Sequence, residues 1–259
     1  MDWIIIAILL PFVGTVIGSA FVFFIKKEMS SNLQKMLLGF ASGVMVAASI
    51  WSLIIPSMDV FGTESWQKII PTSVGFLLGI GFLLLIDYIT PHLHINTDTP
   101  EGIKSRLSKT TMLSLAVTIH NLPEGMAVGI VIAGVLQSNI DLSTMGAIAM
   151  SLGIALQNVP EGAIISIPMK AAGNSKKRSF IIGVLSGIVE PLGAIFMIFL
   201  SNIISPAMPY LLSFAAGAMI YVVVEELIPE ASQGNHSNLS TIGFSVGFVL
   251  MMIMDVILG

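Results

Sequence analysis

Eight runs of mostly apolar residues, each about 20 or more long, take up most of this 259-residue chain. They lie at about 3–25, 33–58, 69–89, 108–136, 144–169, 179–204, 209–228 and 239–258. About 20 apolar residues suffice for one helix to cross the hydrocarbon of a bilayer. None of the runs shows the strict alternation of a membrane barrel strand, so helices are expected throughout. Charge supports this: only 10% of residues are charged and mean hydropathy is +0.94, whereas soluble domains carry about 25%. The expected fold class is an all-α integral membrane protein, one membrane-spanning domain over residues 1–259. The first run has no basic residue before it and Lys26 and Lys27 after it, the reverse of a cleaved leader, so it reads as a span.

The basic residues orient the chain. Lys26, Lys27 and Lys35 flank the first connection, Lys104, Arg106 and Lys109 the third, and Lys170, Lys176, Lys177 and Arg178 the fifth. Ten of the eleven Lys and Arg therefore share one side if the spans alternate, and only Lys68 is left for the other. Such a side is cytoplasmic, which puts both termini outside and the loop at about 90–107 inside. Short loops suit a prokaryotic cell membrane. With no cysteine, disulfides, thiolate metal sites and thiol redox chemistry are excluded. No basic patch interleaved with aromatics suggests nucleic acid as a partner.

Seven acids lie within or at the ends of these apolar runs: Asp87, Glu124, Glu161, Glu190, Glu225, Glu226 and Asp255. No Lys or Arg stands in a run's interior to neutralise them. Carboxylates inside a membrane are paired, protonated or bound to a cation, so protons or metal ions are implied. Two hexapeptides focus the point. His120-Asn121-Leu122-Pro123-Glu124-Gly125 lies in the fourth run and Gln157-Asn158-Val159-Pro160-Glu161-Gly162 in the fifth. On a helix, residues i, i+3 and i+4 share a face, which gathers His120, Asn121 and Glu124, and likewise Gln157, Asn158 and Glu161. Each proline lacks an N–H and so frees a carbonyl, that of Ile119 or Leu156; Pro191, after Glu190, does the same for Gly187. The helices are expected to be interrupted there. Carboxylates, amides and one imidazole suit Zn, Cd, Fe or Mn(II) better than Cu(I).

An internal echo completes the pattern. Phe40-Ala41-Ser42-Gly43-Val44-Met45 in the second run matches Phe214-Ala215-Ala216-Gly217-Ala218-Met219 in the seventh, and both go on to a leucine and a proline, Leu53 to Pro56 and Leu227 to Pro229. The two runs cross in opposite senses, so the echo points to an inverted repeat around a midplane site.

These motifs, with Val189-Glu190-Pro191 and the stretch Tyr221 to Glu230, resemble the ZIP (Zrt/Irt-like) metal transporters, in particular the GufA-like branch. The resemblance covers the whole chain. It implies eight helices in a 3+2+3 inverted-repeat arrangement, import of metal into the cytosol and a two-ion site between helices four, five and six. It further implies homodimers and sliding of one helix bundle past another. His120, Glu124, Gln157 and Glu161 match one ion's ligands, with Met45 as an additional contact. Asn121, Asn158, Glu161 and Glu190 match the other's, Glu161 bridging the two. Some relatives carry a carboxylate where Asn158 stands, so here the second site has one negative charge fewer. Ser52, Asp59 and Asp255 look like the entrance; Asp87, His92, His94, Glu225 and Glu226 look like the cytoplasmic exit. The expected cargo is Zn(II), with Cd(II), Fe(II) and Mn(II) as further candidates.

Two other readings remain. The same acids serve a metal exporter or a proton-coupled exchanger, since ligands do not reveal direction. An intramembrane zinc hydrolase would need a His-Glu-x-x-His pair and an adjacent base, and here Asn121 and Glu124 stand in those places.

Overall fold

The computed structural model describes residues 2–25, 29–60, 65–93, 102–105, 107–137, 143–200 and 207–258. Eight helices long and apolar enough to cross a membrane account for most of them. They are α1 (Asp2–Phe24), α2 (Ser31–Asp59), α3 (Ser65–Ile89), α4 (Lys109–Gln137), α5 (Thr144–Ala171), α6 (Lys176–Phe199), α7 (Met208–Ala231) and α8 (Leu239–Leu258). The protein is thus an all-α membrane protein. Serines open several helices by accepting a free first-turn N–H: Ser30 from Leu33, Ser143 from Gly146 and Ser175 from Arg178. Lysines close one. Lys170 and Lys176 donate to the carbonyls of Ile25 and Phe23 at the end of α1, where cations satisfy orphan acceptors and complement the helix dipole. Lys35 donates to Asn235 between α7 and α8, so the first, fifth and seventh connections share one face.

Helix pairing follows a two-fold rule. α1 lies along α5 and α6 along α4, while α2 lies along α8 and α7 along α3. Exchanging α1 with α6, α2 with α7, α3 with α8 and α4 with α5 maps each pairing onto another. Glycine contacts confirm the register. A Cβ on Gly43 would lie 2.1 Å from the carbonyl oxygen of Phe244, and one on Gly217 would lie 2.1 Å from that of Phe76. Gly247 likewise abuts Phe40, and Gly79 abuts Phe214. These contacts need bare backbone to let helices approach. They also expose an echo between α3 and α8: Thr72-Ser73-Val74-Gly75-Phe76 against Ser240-Thr241-Ile242-Gly243-Phe244.

Helix interruptions differ from expectation. Pro123 and Pro160 lie inside unbroken helices, because packing on both sides holds α4 and α5 straight enough despite the lost hydrogen bonds. Of the three motif-bearing helices α4, α5 and α6, it is α6 that is interrupted, at Ile188 just before Glu190-Pro191, where the Ile188 N–H turns to Leu185 instead of continuing the α pattern. α2 and α7 instead contain π-helical turns, at Ser49–Ile54 and Val223–Leu227. They occupy equivalent places, each just ahead of a proline. Wide turns of this kind often mark functional positions.

Candidate metal path

α4, α5 and α6 bring six of the expected ligands into one buried centre. Asn121, Glu124, Gln157, Asn158 and Glu190 are at most 1% exposed, and Glu161 is 9% exposed. Gln157 Nε2 donates to Glu124 Oε1 at 2.6 Å. Asn158 Nδ2 donates to Glu190 Oε2 at 2.9 Å and to the Pro11 carbonyl at 3.3 Å. Asn121 Nδ2 donates to the Ser186 carbonyl at 3.1 Å. Carbonyls and carboxylates only accept, so each amide must turn its nitrogen to them. That leaves Asn121 Oδ1, Gln157 Oε1, Asn158 Oδ1 and Glu124 Oε2 buried with no hydrogen-bond donor. Such atoms cost about 1–3 kcal/mol each when left unmatched. All four are electron-rich oxygens, supplied by the neighbouring helices α4 and α5.

His120 belongs to this centre and to the path leaving it. Its Nε2 lies 2.6 Å from Glu226 Oε1 on α7. Beyond Glu226 come Asp87 and His92, and ligand atoms of Asp87, His92 and Glu226 lie within 4.8 Å of one another. His92 Nε2 is 3.0 Å from Asp87 Oδ1, and its Nδ1 bonds the Thr90 carbonyl at 2.8 Å. Burial by itself would lower the pKa of His92. The hydrogen bonds to Asp87 and Thr90, with the charges of Asp87 and Glu226, outweigh burial and raise it to about 9. A cleft runs from His120 and Glu161 past Glu226 to Leu93, Leu113 and Glu230, at the ends of α3, α4 and α7 that adjoin the basic connections. At the opposite end Ser52 donates to Asp255 Oδ1 at 2.7 Å, with both residues buried.

The remaining expected residues fall elsewhere. Met45 is fully buried in the apolar core on α2. Asp59 is exposed and sits 3.8 Å from Lys68. Glu225 is exposed, because successive helical residues point apart and Glu226 takes the inward direction. His94 lies outside the described residues. Three residues join the path that sequence reasoning did not single out. Thr15 on α1 donates to Glu190 Oε1 at 2.9 Å; its signal is the small and polar face Gly14-Thr15, Gly18-Ser19, one helical turn apart. Tyr221 donates to Asp87 Oδ2 at 3.0 Å, and Glu230 lines the cleft.

Comparison with known proteins points to one family. A family model described as "ZIP Zinc transporter" matches residues 92–255. The chain is 34% identical to human zinc transporter ZIP11, covering 95% of the chain and 94% of that protein. It is 38% identical to zinc transporter ZIPB of Bordetella bronchiseptica, over 90% of the chain and 74% of that protein. It is also 34% identical to zinc transporter GufA of Myxococcus xanthus, over 95% and 96%. With motifs, eight spanning helices and full-length relatives in agreement, the chain belongs to the ZIP zinc transporter family, in its GufA-like branch.

Proposed function

We propose that this protein imports Zn(II) into the cytosol through a two-ion site formed by α4, α5 and α6. The observation that carries the reading is the set of buried, donorless oxygens on Asn121, Glu124, Gln157 and Asn158 beside the carboxylates of Glu161 and Glu190. Among the described residues no Lys or Arg pairs with Glu124, Glu161 or Glu190, so a cation is the partner that answers their charge. Nitrogen from His120 together with carboxylate oxygen is a donor set that Zn(II) accepts; it also admits Cd(II), Fe(II) and Mn(II). His120, Glu124, Gln157 and Glu161 hold the first ion, with Met45 as an additional contact once α2 shifts, and Asn121, Asn158, Glu161 and Glu190 the second. Transport follows from the path. Ser52, Asp59 and Asp255 receive the ion, and Glu226, Asp87, His92, His94 and Glu225 take it onward. So read, the closed Ser52–Asp255 end faces outside and the cleft on the basic side opens to the cytoplasm. In this reading both termini lie outside, the cell membrane is the site of action, and two copies associate as a homodimer.

The test is metal flux into proteoliposomes loaded with a metal-sensing dye. Wild type is expected to carry Zn(II) inward, and Glu161→Ala to carry none while inserting normally. A membrane-inserted Glu161→Ala protein with wild-type flux overturns the site; efflux of loaded zinc against no uptake overturns the direction. Ranking Zn, Cd, Fe and Mn(II) in the same assay sets the cargo.

A further inference from the structure

The two-fold relation between α2–α8 and α7–α3 places residues at the two ends of the path in correspondence. Counting from Gly43 and Gly217, Ser52 stands where Glu226 stands, Met45 where Met219 stands, and Ala47 where Tyr221 stands. Counting from Phe244 and Phe76, Asp255 stands where Asp87 stands. The contacts repeat accordingly. At one end Ser52, inside the π-turn of α2, meets Asp255 of α8. At the other Glu226, inside the π-turn of α7, brings a carboxylate oxygen within 4.8 Å of one of Asp87 of α3. Resting on the transporter reading, we propose that the outer and inner ends of the path are two inverted copies of one cation-holding device. The outer copy is the weaker because Ser52 replaces a glutamate.

One detail ties the copies together. At the inner end Tyr221 donates to Asp87 Oδ2, while the other oxygen faces His92. The outer twin of Tyr221 is Ala47, which has no donor, and there one carboxylate oxygen of Asp255 is buried without a partner. The orphan oxygen is open to a cation. A divalent ion at the outer end meets one carboxylate and one hydroxyl. At the inner end it meets two carboxylates and an imidazole. Affinity for divalent ions rises with the number of charged ligands, so at equal zinc on both sides occupancy favours the inner end.

The test exchanges the two compositions. Zinc is titrated calorimetrically into the purified full-length protein in detergent, for wild type, Ser52→Glu, Ser52→Gln and Glu226→Ser. Ser52→Glu builds a second Asp–Glu pair. It is expected to bind one further ion, or to tighten outer binding by roughly tenfold, and to slow uptake by holding the ion at the entrance. Ser52→Gln, similar in size and uncharged, gains nothing, and Glu226→Ser loses inner binding. Ser52→Glu with wild-type stoichiometry and affinity overturns the proposal, as does a gain in Ser52→Gln. If Ser52→Glu fails to fold, Asp255→Asn decides: a raised KM for uptake with the central ions still bound supports the outer copy, and an unchanged KM overturns it. Binding counts need no flux, so the expected counts without zinc flux would sink the transporter reading alone. Flux with unchanged counts would sink only the two-copy device.

Discussion

Glu161 and Glu190 approach one centre from α5 and α6, but one borders an open cleft and the other is held by hydrogen bonds on both oxygens. Each carboxylate stands beside a proline, Pro160 or Pro191, so the adjoining residue alone does not make the difference. The neighbours make it. Around Glu190, α1 presses close: a Cβ on Gly187 would lie 2.8 Å from the Thr15 methyl, and Thr15 and Asn158 between them take both carboxylate oxygens. Around Glu161 and His120 the wall is α7, whose π-turn turns Glu226 inward. An ion reaching the Glu190 half has to displace two hydrogen bonds. One reaching the Glu161 half displaces fewer and has a way out. On the proposed reading the Glu190 half is the anchor, the more tightly held side, and the Glu161 half the more accessible one.

The largest test attacks what keeps the anchor closed. A Cβ on Gly125 would lie 2.2 Å from the backbone oxygen of Glu190. Gly125→Val is expected to force α4 from α6 and to destabilise the protein by more than about 3 kcal/mol. Thermal melting in detergent checks this, and a melting point within a few degrees of wild type breaks the claim of close packing there.

Next in size is the cleft side, through His92. Its folded pKa of about 9 lies above the ordinary value of 6.5. The stabilisation it gives is therefore complete below about pH 6.5 and is lost as pH rises through 9. His92→Gln is expected to lower stability by up to about 3 kcal/mol at pH 6, with the gap from wild type closing by pH 10. Melting curves at four or five pH values measure it. A pH-independent gap would show that His92 acts by packing alone, and the cleft half would lose its charged exit.

Thr15→Val comes third. The substitution keeps the shape and removes the donor to Glu190 Oε1, a loss of about 2 kcal/mol for a buried acceptor. Because the loss falls on the anchor, zinc affinity of the cleft half is expected to stay at the wild-type value. A fall in both would merge the two halves into one unit.

Much of this was legible beforehand, and what was not has physical reasons. The spans are legible because about 20 apolar residues can do little else. The convergence of Glu124, Gln157, Glu161 and Glu190 is legible because unpaired carboxylates must meet their counter-charge together. Thr15 was not, since a hydroxyl in a spanning helix ordinarily bonds back to its own helix, as Thr118 does to the Ser114 carbonyl. The π-turns of α2 and α7 have no residue signature, because they arise from how the turn before Pro56 or Pro229 packs. Continuity through Pro123 and Pro160 went the other way: local chemistry forecasts a break, and burial on both sides overrode it. The echo between α3 and α8 is visible in the residues, but short runs of glycine, phenylalanine and hydroxyl residues recur freely in membrane helices. Only the matched contacts separate it from chance.

The smallest effect is also the one that most sharpens the comparison. Asn158 turns its nitrogen to Glu190 because the carboxylate and the Pro11 carbonyl accept and do not donate. Asn158→Asp removes that donor and puts a second negative charge against Glu190. The two carboxylates then repel unless a cation lies between them. In zinc-free buffer the variant is expected to melt below wild type. With zinc the loss is expected to reverse, as binding of the second ion tightens by about tenfold, near 1.4 kcal/mol. Calorimetric titration with melting at several zinc concentrations reads both effects. If zinc rescues the variant, the anchor half is an ion site kept weak by one amide, and the asymmetry is one of charge. If the variant stays destabilised at saturating zinc, Glu190 is a structural post, and only the half that borders the cleft carries an ion.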